Sequence, residues 1–484
     1  MATIDELKKV RLEKLDALKK HGVDPYPSLV RRDHTIAQAR SMDGKSVAVA
    51  GRVMGMRGHG KIMFGDLRDE SGNIQIVFKS DEITLKTFKL LEFVDIGDFL
   101  AIQGYIGKTQ VGEVSIFVSN FQIISKSLRP LPDQWSGFKD VEERYRQRYV
   151  DLLVNHDVRK VFVTRSKVVQ FLRKFLDRNG FLEVETPILQ PIYGGASAKP
   201  FKTHHNALDF DLFLRISDEL YLKRLIVAGF EKVYEIGKDF RNEGMDRGHN
   251  PEFTVLEYYW AYADYEMLMK FTEEMIVEML KDILGSLKIT YQGIELDFTA
   301  PWPRVTYREA LIKQTGIDIG VADTEEKLRQ EIAKLHIALE VEEVVGYGEL
   351  LDVLYKHTTR PHLTGPLFLT KRPTAFVALA KRLPNDLRFT ASFQLLVAGE
   401  ELINAYNELN DPQDQAARWR ESEALAKKGK SEHEAFDDDY IRALEYGMPH
   451  TAGWGLGIDR LVSVLTNQHT IKDVILFPTL RPVK

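Results

Sequence analysis

In the segment FTVLEYYWAY, an extended backbone puts Phe253, Val255, Glu257 and Tyr259 on one face and Leu256, Tyr258 and Trp260 on the other. One face can bury apolar groups while the other carries a carboxylate between aromatic rings. The segment INAYNELND repeats the device, since Asn404, Tyr406 and Glu408 alternate onto a single face. Two such strands suggest a pocket for a cation, because a buried ammonium needs ionised acceptors and gains from a ring face. An exposed Glu on an edge strand is the other reading of each carboxylate taken singly.

A third segment, AGWGLGIDRLVSVLTN, spaces Gly453, Gly455 and Gly457 along a strand and so clears one face for the close approach of a flat ligand. Arg460 then falls in the first turn of the next helix, where a cation opposes the helix dipole. Its position points to an anion on which guanidinium and helix amides converge, as they do on phosphate. A salt bridge to a neighbouring carboxylate is the alternative.

The elements that must position these groups belong to a chain of 484 residues, 44% hydrophobic, 28% charged and 10% aromatic, a balance that buries a large core and excludes disorder as the main state. Cysteine is absent, which excludes disulfides, thiolate metal sites and a thiol nucleophile and leaves oxygen or His to hold any metal. The start MATIDELKKVRLEKLDALKK is charged and helical, and no long uncharged apolar stretch occurs, so no membrane association and a cytoplasmic location are expected. The net charge of −5 argues against an indiscriminate nucleic-acid binder, yet Lys and Arg outnumber Asp and Glu by 24 to 20 in residues 1–150 and trail them by 42 to 51 thereafter. Only the first third suits a polyanion.

The opening helix is predicted to end near His21-Gly22. From Ser46 to Ser125, five short runs (VAVAGRV, KIMFGDL, NIQIVF, DFLAIQGYI and VSIFVSNFQII) are separated by glycine-bearing turns, which predicts a small antiparallel barrel, an OB-fold being one such answer. LRPLPD reads as a linker. Beyond it, Val168, Phe171, Leu172, Phe175 and Leu176 share one helix face that stops before Gly180. Neither common phosphate-loop signature appears. Residues 321–360, with TEEKLRQEIAKL, read as a solvated insertion without chemistry.

These segments together resemble motifs 1, 2 and 3 of the class II aminoacyl-tRNA synthetases, and among them the lysyl-tRNA synthetase family. Motif 1 is similar to the helix just described with GFLEVETPILQP, motif 2 to FRNEG through HNPEFTVLEYYWAY, and motif 3 to GLGIDRLV. The segments GGASAKPF, RISDELYLKRL, NAYNELNDP, ALEYGMPHTAGWG and LRPLPDQWSGFKDVEERYRQRYVDL match the lysine type, and the resemblance runs from the first helix to FPTLRPVK. It implies an α+β architecture: residues 1–127 as N-terminal helix and OB-fold five-stranded β-barrel for the anticodon, 128–145 as linker, and 146–484 as a catalytic antiparallel sheet flanked by helices. The implied reaction is ATP-dependent activation of L-lysine and transfer to tRNA(Lys), with Mg²⁺ as cofactor and a homodimer formed through motif 1.

Carried over by position, the resemblance makes Arg241 and Arg460 catalytic and puts Arg241, Glu243, His249, Asn250, Phe253, Glu401, Gly457 and Arg460 around ATP. Phe253 is to stack on adenine, with Arg460 on the opposite face. Gly195 and Glu219 are to meet the α-amino end of lysine, Arg241 its carboxylate, and Glu257, Tyr259, Asn404, Tyr406 and Glu408 its ammonium. In the barrel, Phe64, Gln75 and Glu113 match anticodon positions, with inward packing as the other fate of Phe64. Two departures stand out. Met56 occupies the place of a family arginine, with Arg57 beside it, and Gln394 replaces a carboxylate seven residues before the metal ligand Glu401, which leaves Gln394 a neutral ligand at most. The competing readings are another enzyme of the class, such as an aspartyl or asparaginyl synthetase, a non-catalytic synthetase-like tRNA-binding protein, and a paralogue that lysylates a protein.

Overall fold

Thr3 accepts a hydrogen bond from the Glu6 backbone while Glu6 reaches back to the Thr3 amide, a capping box that starts helix α1 at Ile4–Lys20. The helix stops at His21, and Gly22 follows at φ +70°. The structure is a computed structural model that describes all residues except 1–2, 133–137, 139, 336–338, 340–343, 345, 427–434 and 484. Part of the expected linker therefore lies outside the described residues. The chain divides into two units, Met1–Asp140 and Val141–Lys484.

In the first unit, β1 (Ser46–His59), β2 (Ile62–Asp69), β3 (Gly72–Lys79), β4 (Phe99–Lys108) and β5 (Val114–Ser125) close into a barrel in the order β1-β2-β3-β5-β4. Val49, Leu67, Ile76, Ile102 and Ile116 fill it and are wholly buried. Strand β1 runs well past the expected VAVAGRV, because a bulge between Val53 and Gly55 lets it bend and stay paired with β2 as far as His59.

The second unit is built on an eight-stranded sheet. Its strands are β6 (Leu182–Glu183), β7 (Lys232–Phe240), β8 (Glu252–Ala261), β9 (Arg304–Thr306), β10 (Leu367–Thr370), β11 (Ser392–Val397), β12 (Glu400–Asn407) and β13 (Thr451–Gly457), in the order β9-β10-β11-β12-β13-β8-β7-β6. The inner pairings are antiparallel, and the two edge pairings, β6 with β7 and β9 with β10, are parallel. Helices α2 (His156–Arg178), α3 (Glu219–Val227) and α4 (Tyr265–Leu284) flank it.

Period-two alternation divides the work of the central strands. Leu256 and Tyr258 of β8 and Trp454 and Leu456 of β13 point into the core with Phe171 and Phe175 of α2 and Phe271 and Met275 of α4. Tyr258 stacks on Trp454 at 4.7 Å, and the Trp454 indole N–H donates to Thr272 at 2.9 Å. The alternate residues of both strands face the other way and form the floor of a cavity.

Residues expected to be a solvated insertion behave otherwise. Helices α5 (Glu325–Ala333) and α6 (Tyr347–Thr358) bury Leu328, Leu350, Leu351 and Leu354 in a core of their own, and Asp323, Glu325 and Tyr347 line the cavity. The charged periodicity of TEEKLRQEIAKL hid an apolar stripe at four-residue spacing, Leu328 and Ile332. Among the described residues no helix is long and apolar enough to cross a membrane.

Because Trp454 joins β13 to α4 through both packing and its N–H, Trp454→Ala is expected to destabilise the second unit by about 3–5 kcal/mol. The shift of its denaturant midpoint, followed by circular dichroism, measures this.

Candidate active site

The cavity encloses about 970 Å³ above β8, β12 and β13. Its walls bring together Gly195, Glu219, Arg241, Glu243, His249, Asn250, Phe253, Glu257, Tyr259, Glu401, Asn404, Tyr406, Glu408, Gly457 and Arg460, residues drawn from segments more than two hundred positions apart. Gln394 lies behind the wall, and Phe64, Gln75 and Glu113 belong to the barrel.

The glycines of β13 do more than admit a ligand. A Cβ at Gly453 would overlap the Glu408 carboxylate and come within 2.5 Å of the Tyr259 ring, so the space it vacates is filled by the protein's own side chains. Gly455 and Gly457 are the positions left open to the cavity. Gly195, at φ +84°, passes so close to Ser217 that a side chain would sit 2.9 Å from its hydroxyl.

At the acidic end, the expected cation pocket already contains a cation. Lys223, one turn along α3 from Glu219, is fully buried, donates to Glu219 at 2.5 Å and ion-pairs with Glu408. Its ammonium lies 6.0 Å from the Tyr259 ring centre and 5.7 Å from that of Tyr406. Burial opposes the charge, but Glu219 and Glu408 outweigh it and keep the ammonium charged well above its usual range. Tyr406 donates to Glu219 at 2.7 Å and Tyr259 to Glu257 at 3.0 Å. Of Glu219, Glu257 and Glu408, Glu257 is thus the one that Lys223 does not neutralise; burial, then Glu219 and Asp239, push it up to about 8. Asn404 lines the cavity and accepts from Arg372 at 2.8 Å through its amide oxygen.

The opposite end is cationic and aromatic. Arg241 lies over the Phe253 ring at 5.0 Å, and its buried Nε has no hydrogen-bond partner among the described residues. In the expectation the ring faced adenine with Arg460 beyond. Here Arg241 covers it, while Arg460 contacts the His249 ring nitrogen at 3.1 Å and the Glu401 carbonyl at 3.1 Å. Arg460 sits in the first turn of α8 (Ile458–Leu465; α7 is Asp438–Glu445) and pairs with no carboxylate among the described residues. Its neighbour Asp459 is the group suited to that helix start: it accepts from Arg165 at 2.6 Å and from the Thr254 amide at 2.9 Å. His249 is oriented by Asp246, Asn250 is buried and donates to the Glu252 carbonyl, and Glu243 is exposed at the rim. Gln394 donates from its amide nitrogen to Glu401 at 2.6 Å and does not line the cavity.

On the barrel, Phe64 stays out of the core on the outer face, half-buried, which answers the inward alternative. Gln75 donates to Glu113 at 3.0 Å and accepts from Ser115 at 2.9 Å. The β1 bulge turns Met56 inward and brings Arg57 across from Phe64, 5.9 Å from the ring centre. A strict two-residue alternation cannot foresee that switch.

Residues 140–481 match the family described as tRNA synthetases class II (D, K and N), and residues 47–124 match the OB-fold nucleic acid binding domain. The chain belongs to the class II tRNA synthetases. It is similar to the lysine–tRNA ligases of Carboxydothermus hydrogenoformans (48% identical, 99% of each chain), Moorella thermoacetica (47%, 99% of this chain and 98% of the relative) and Syntrophomonas wolfei (49%, with the same coverage as Moorella).

Sequence reasoning about this synthetase missed Lys223 and Asp218, although both lie in RISDELYLKRL and the Glu219–Lys223 spacing of four was a readable helix pair. Since Lys223 depends on two carboxylates, Glu408→Gln is expected to cost the second unit about 1–3 kcal/mol of stability. An unmoved denaturation midpoint would show that Glu408 does not hold Lys223.

Proposed function

We propose that this synthetase activates L-lysine with ATP and transfers it to tRNA(Lys), in line with its similarity to lysine–tRNA ligases. The observation that carries the reading is the acidic end of the cavity, where Glu257 stands uncompensated beside Tyr259 while Glu408 and Glu219 share Lys223. An aspartate or asparagine substrate would need a donor there.

In the first step a lysine carboxylate oxygen attacks the α-phosphorus of ATP and pyrophosphate leaves. In the second, a hydroxyl of the terminal ribose attacks the acyl carbon and AMP leaves. Neither step needs a protein nucleophile; positioning and electrostatics suffice. Arg241 suits the charge that develops on the α-phosphoryl oxygens, since its buried Nε lacks an acceptor. Phe253 offers a face to the base once Arg241 swings to phosphate, and Arg460 with His249 suits the far phosphates. Gly195 and Glu219 suit the α-amino group.

The donor set around Glu401 fits Mg²⁺, a cation that keeps most of its coordination for water and phosphate oxygens and asks for one or two carboxylates. Glu401 would hold it, with Gln394 orienting the carboxylate, and the ion neutralises phosphate charge when bound. On the barrel, Phe64 offers a ring for stacking and Gln75 with Glu113 offers polar groups for base edges, which supports anticodon reading. Val163 of α2 and the neighbouring Leu182, Ile188 and Leu189 are exposed apolar residues of motif 1, which supports a homodimer. We place the enzyme in the cytoplasm, where its substrates are.

The deciding experiment is ATP–pyrophosphate exchange with each of the twenty amino acids: lysine is expected to dominate, and equal exchange with aspartate would overturn the reading. Arg241→Ala should slow adenylate formation by about 10²–10³, and a near-normal rate would remove Arg241 from the reaction. Gln394→Glu should lower the Mg²⁺ needed for half-maximal exchange and, by facing two carboxylates together, lower the melting temperature in EDTA. An unchanged Mg²⁺ requirement would detach position 394 from the metal.

A further inference from the structure

Behind Glu257, and outside the cavity wall, sits a carboxyl group with no role in the steps above. Asp218, the residue before α3, is completely buried, and among the described residues neither of its side-chain oxygens receives a hydrogen bond. One oxygen from each of Asp218, Asp239 and Glu257 lies within 4.8 Å of the others. The nearby cation is committed elsewhere: Arg215 donates to Glu235 at 2.5 Å, to the Lys238 carbonyl at 2.9 Å and to Thr186 at 3.1 Å, and its Nε lies 3.1 Å from Asp239.

Two facing carboxylates without a donor between them cannot both remain charged in a dry site, whereas one protonated carboxyl beside the other is a satisfied hydrogen bond. We infer that Asp218 is a neutral carboxylic acid that donates to Glu257 and so positions that carboxylate for the substrate ammonium. This rests on the reading of the cavity as a lysine site. No covalent bond is made or broken: Asp218 keeps its proton and hydrogen-bonds through it to Glu257, and Glu257 also accepts from the entering ammonium.

The charges on every side agree. From β7 and its end come Glu235, Asp239 and Arg241; from α3 come Glu219 and Lys223, the latter neutralising Glu219 and Glu408. Tyr259 beside Glu257, Tyr406 on β12 and Tyr440 on α7 stay un-ionised, their hydroxyls raised first by burial and then by these carboxylates, with Lys223 opposing the rise at Tyr440. Burial, then Glu257, Asp239 and Glu235, raise Asp218 far above the carboxylate range against the pull of Arg215. The same three oxygens have the spacing of a metal site, but the Arg215 guanidinium already occupies the flank of Asp239 and no solvent reaches Asp218, which favours a proton.

Lysine-dependent ATP–pyrophosphate exchange by the full-length protein, with lysine and ATP varied in turn, reads the two ends of the cavity separately; no lysine-dependent exchange by the wild type would overturn both this inference and the lysine reading. Asp218→Asn, a permanent neutral donor of the same shape, should keep the Michaelis constant for lysine within about threefold, whereas Asp218→Ala should raise it about tenfold or more without altering that for ATP. Equal losses in the two variants would show that Asp218 acts as an anion and overturn the inference.

Discussion

Lys223 is enclosed on all sides, shared between Glu219 and Glu408, and flanked by the rings of Tyr259 and Tyr406. Removing its charge from water is costly, and only a matched set of acceptors offsets that cost. The arrangement of this corner follows from the need. Helix α3 must start where Glu219 and Lys223 both face the sheet, β12 must end so that Glu408 reaches over, and β13 must be bare at Gly453 to let it pass. With Glu408 and Glu219 engaged, Glu257 is left as the acceptor with the least compensation. An internal lysine thus sets which carboxylate an incoming lysine can use.

The phosphate-facing end shows the same economy. Arg241 rests on the Phe253 ring and Arg460 against His249, so groups suited to nucleotide contacts are held by one another. Binding there is an exchange of partners more than the filling of a void, and side chains need only short swings to reach an anion. Asp459 makes this tolerable for Arg460: it satisfies the helix start and ties it to Arg165 and Thr254, so that a cation in the first turn does not unwind α8.

Much of this could be read from residue order alone, because it depends on local periodicity. The five barrel strands, the core face of α2 and the alternate faces of β8 and β12 each follow from spacing within one segment. What escaped depends on events between segments. The bulge after Val53 shifts Arg57 to the outer face, and only pairing with β2 reveals it. Lys223 stands one helical turn from Glu219, and its role emerges only where Glu408 and the tyrosines close over the pair. Asp218 carries no pattern at all; its significance lies in the absence of a donor, which no linear sequence displays. Likewise α5 looked solvated because the four-residue spacing of Leu328 and Ile332 was masked by the charges around them.

The bare backbone at Gly453 imposes an order on any change of specificity. A side chain there collides at once with Glu408 and Tyr259, so position 453 cannot vary while both remain. Shortening Glu408 first would free the space but strip Lys223 of a partner. A lineage drifting toward a smaller or uncharged substrate would therefore have to alter Lys223 and Glu408 together before the strand beneath them could acquire a side chain, a coupled step that single substitutions do not reach. Residue 453 is in that sense a ratchet, locking the acidic corner in place.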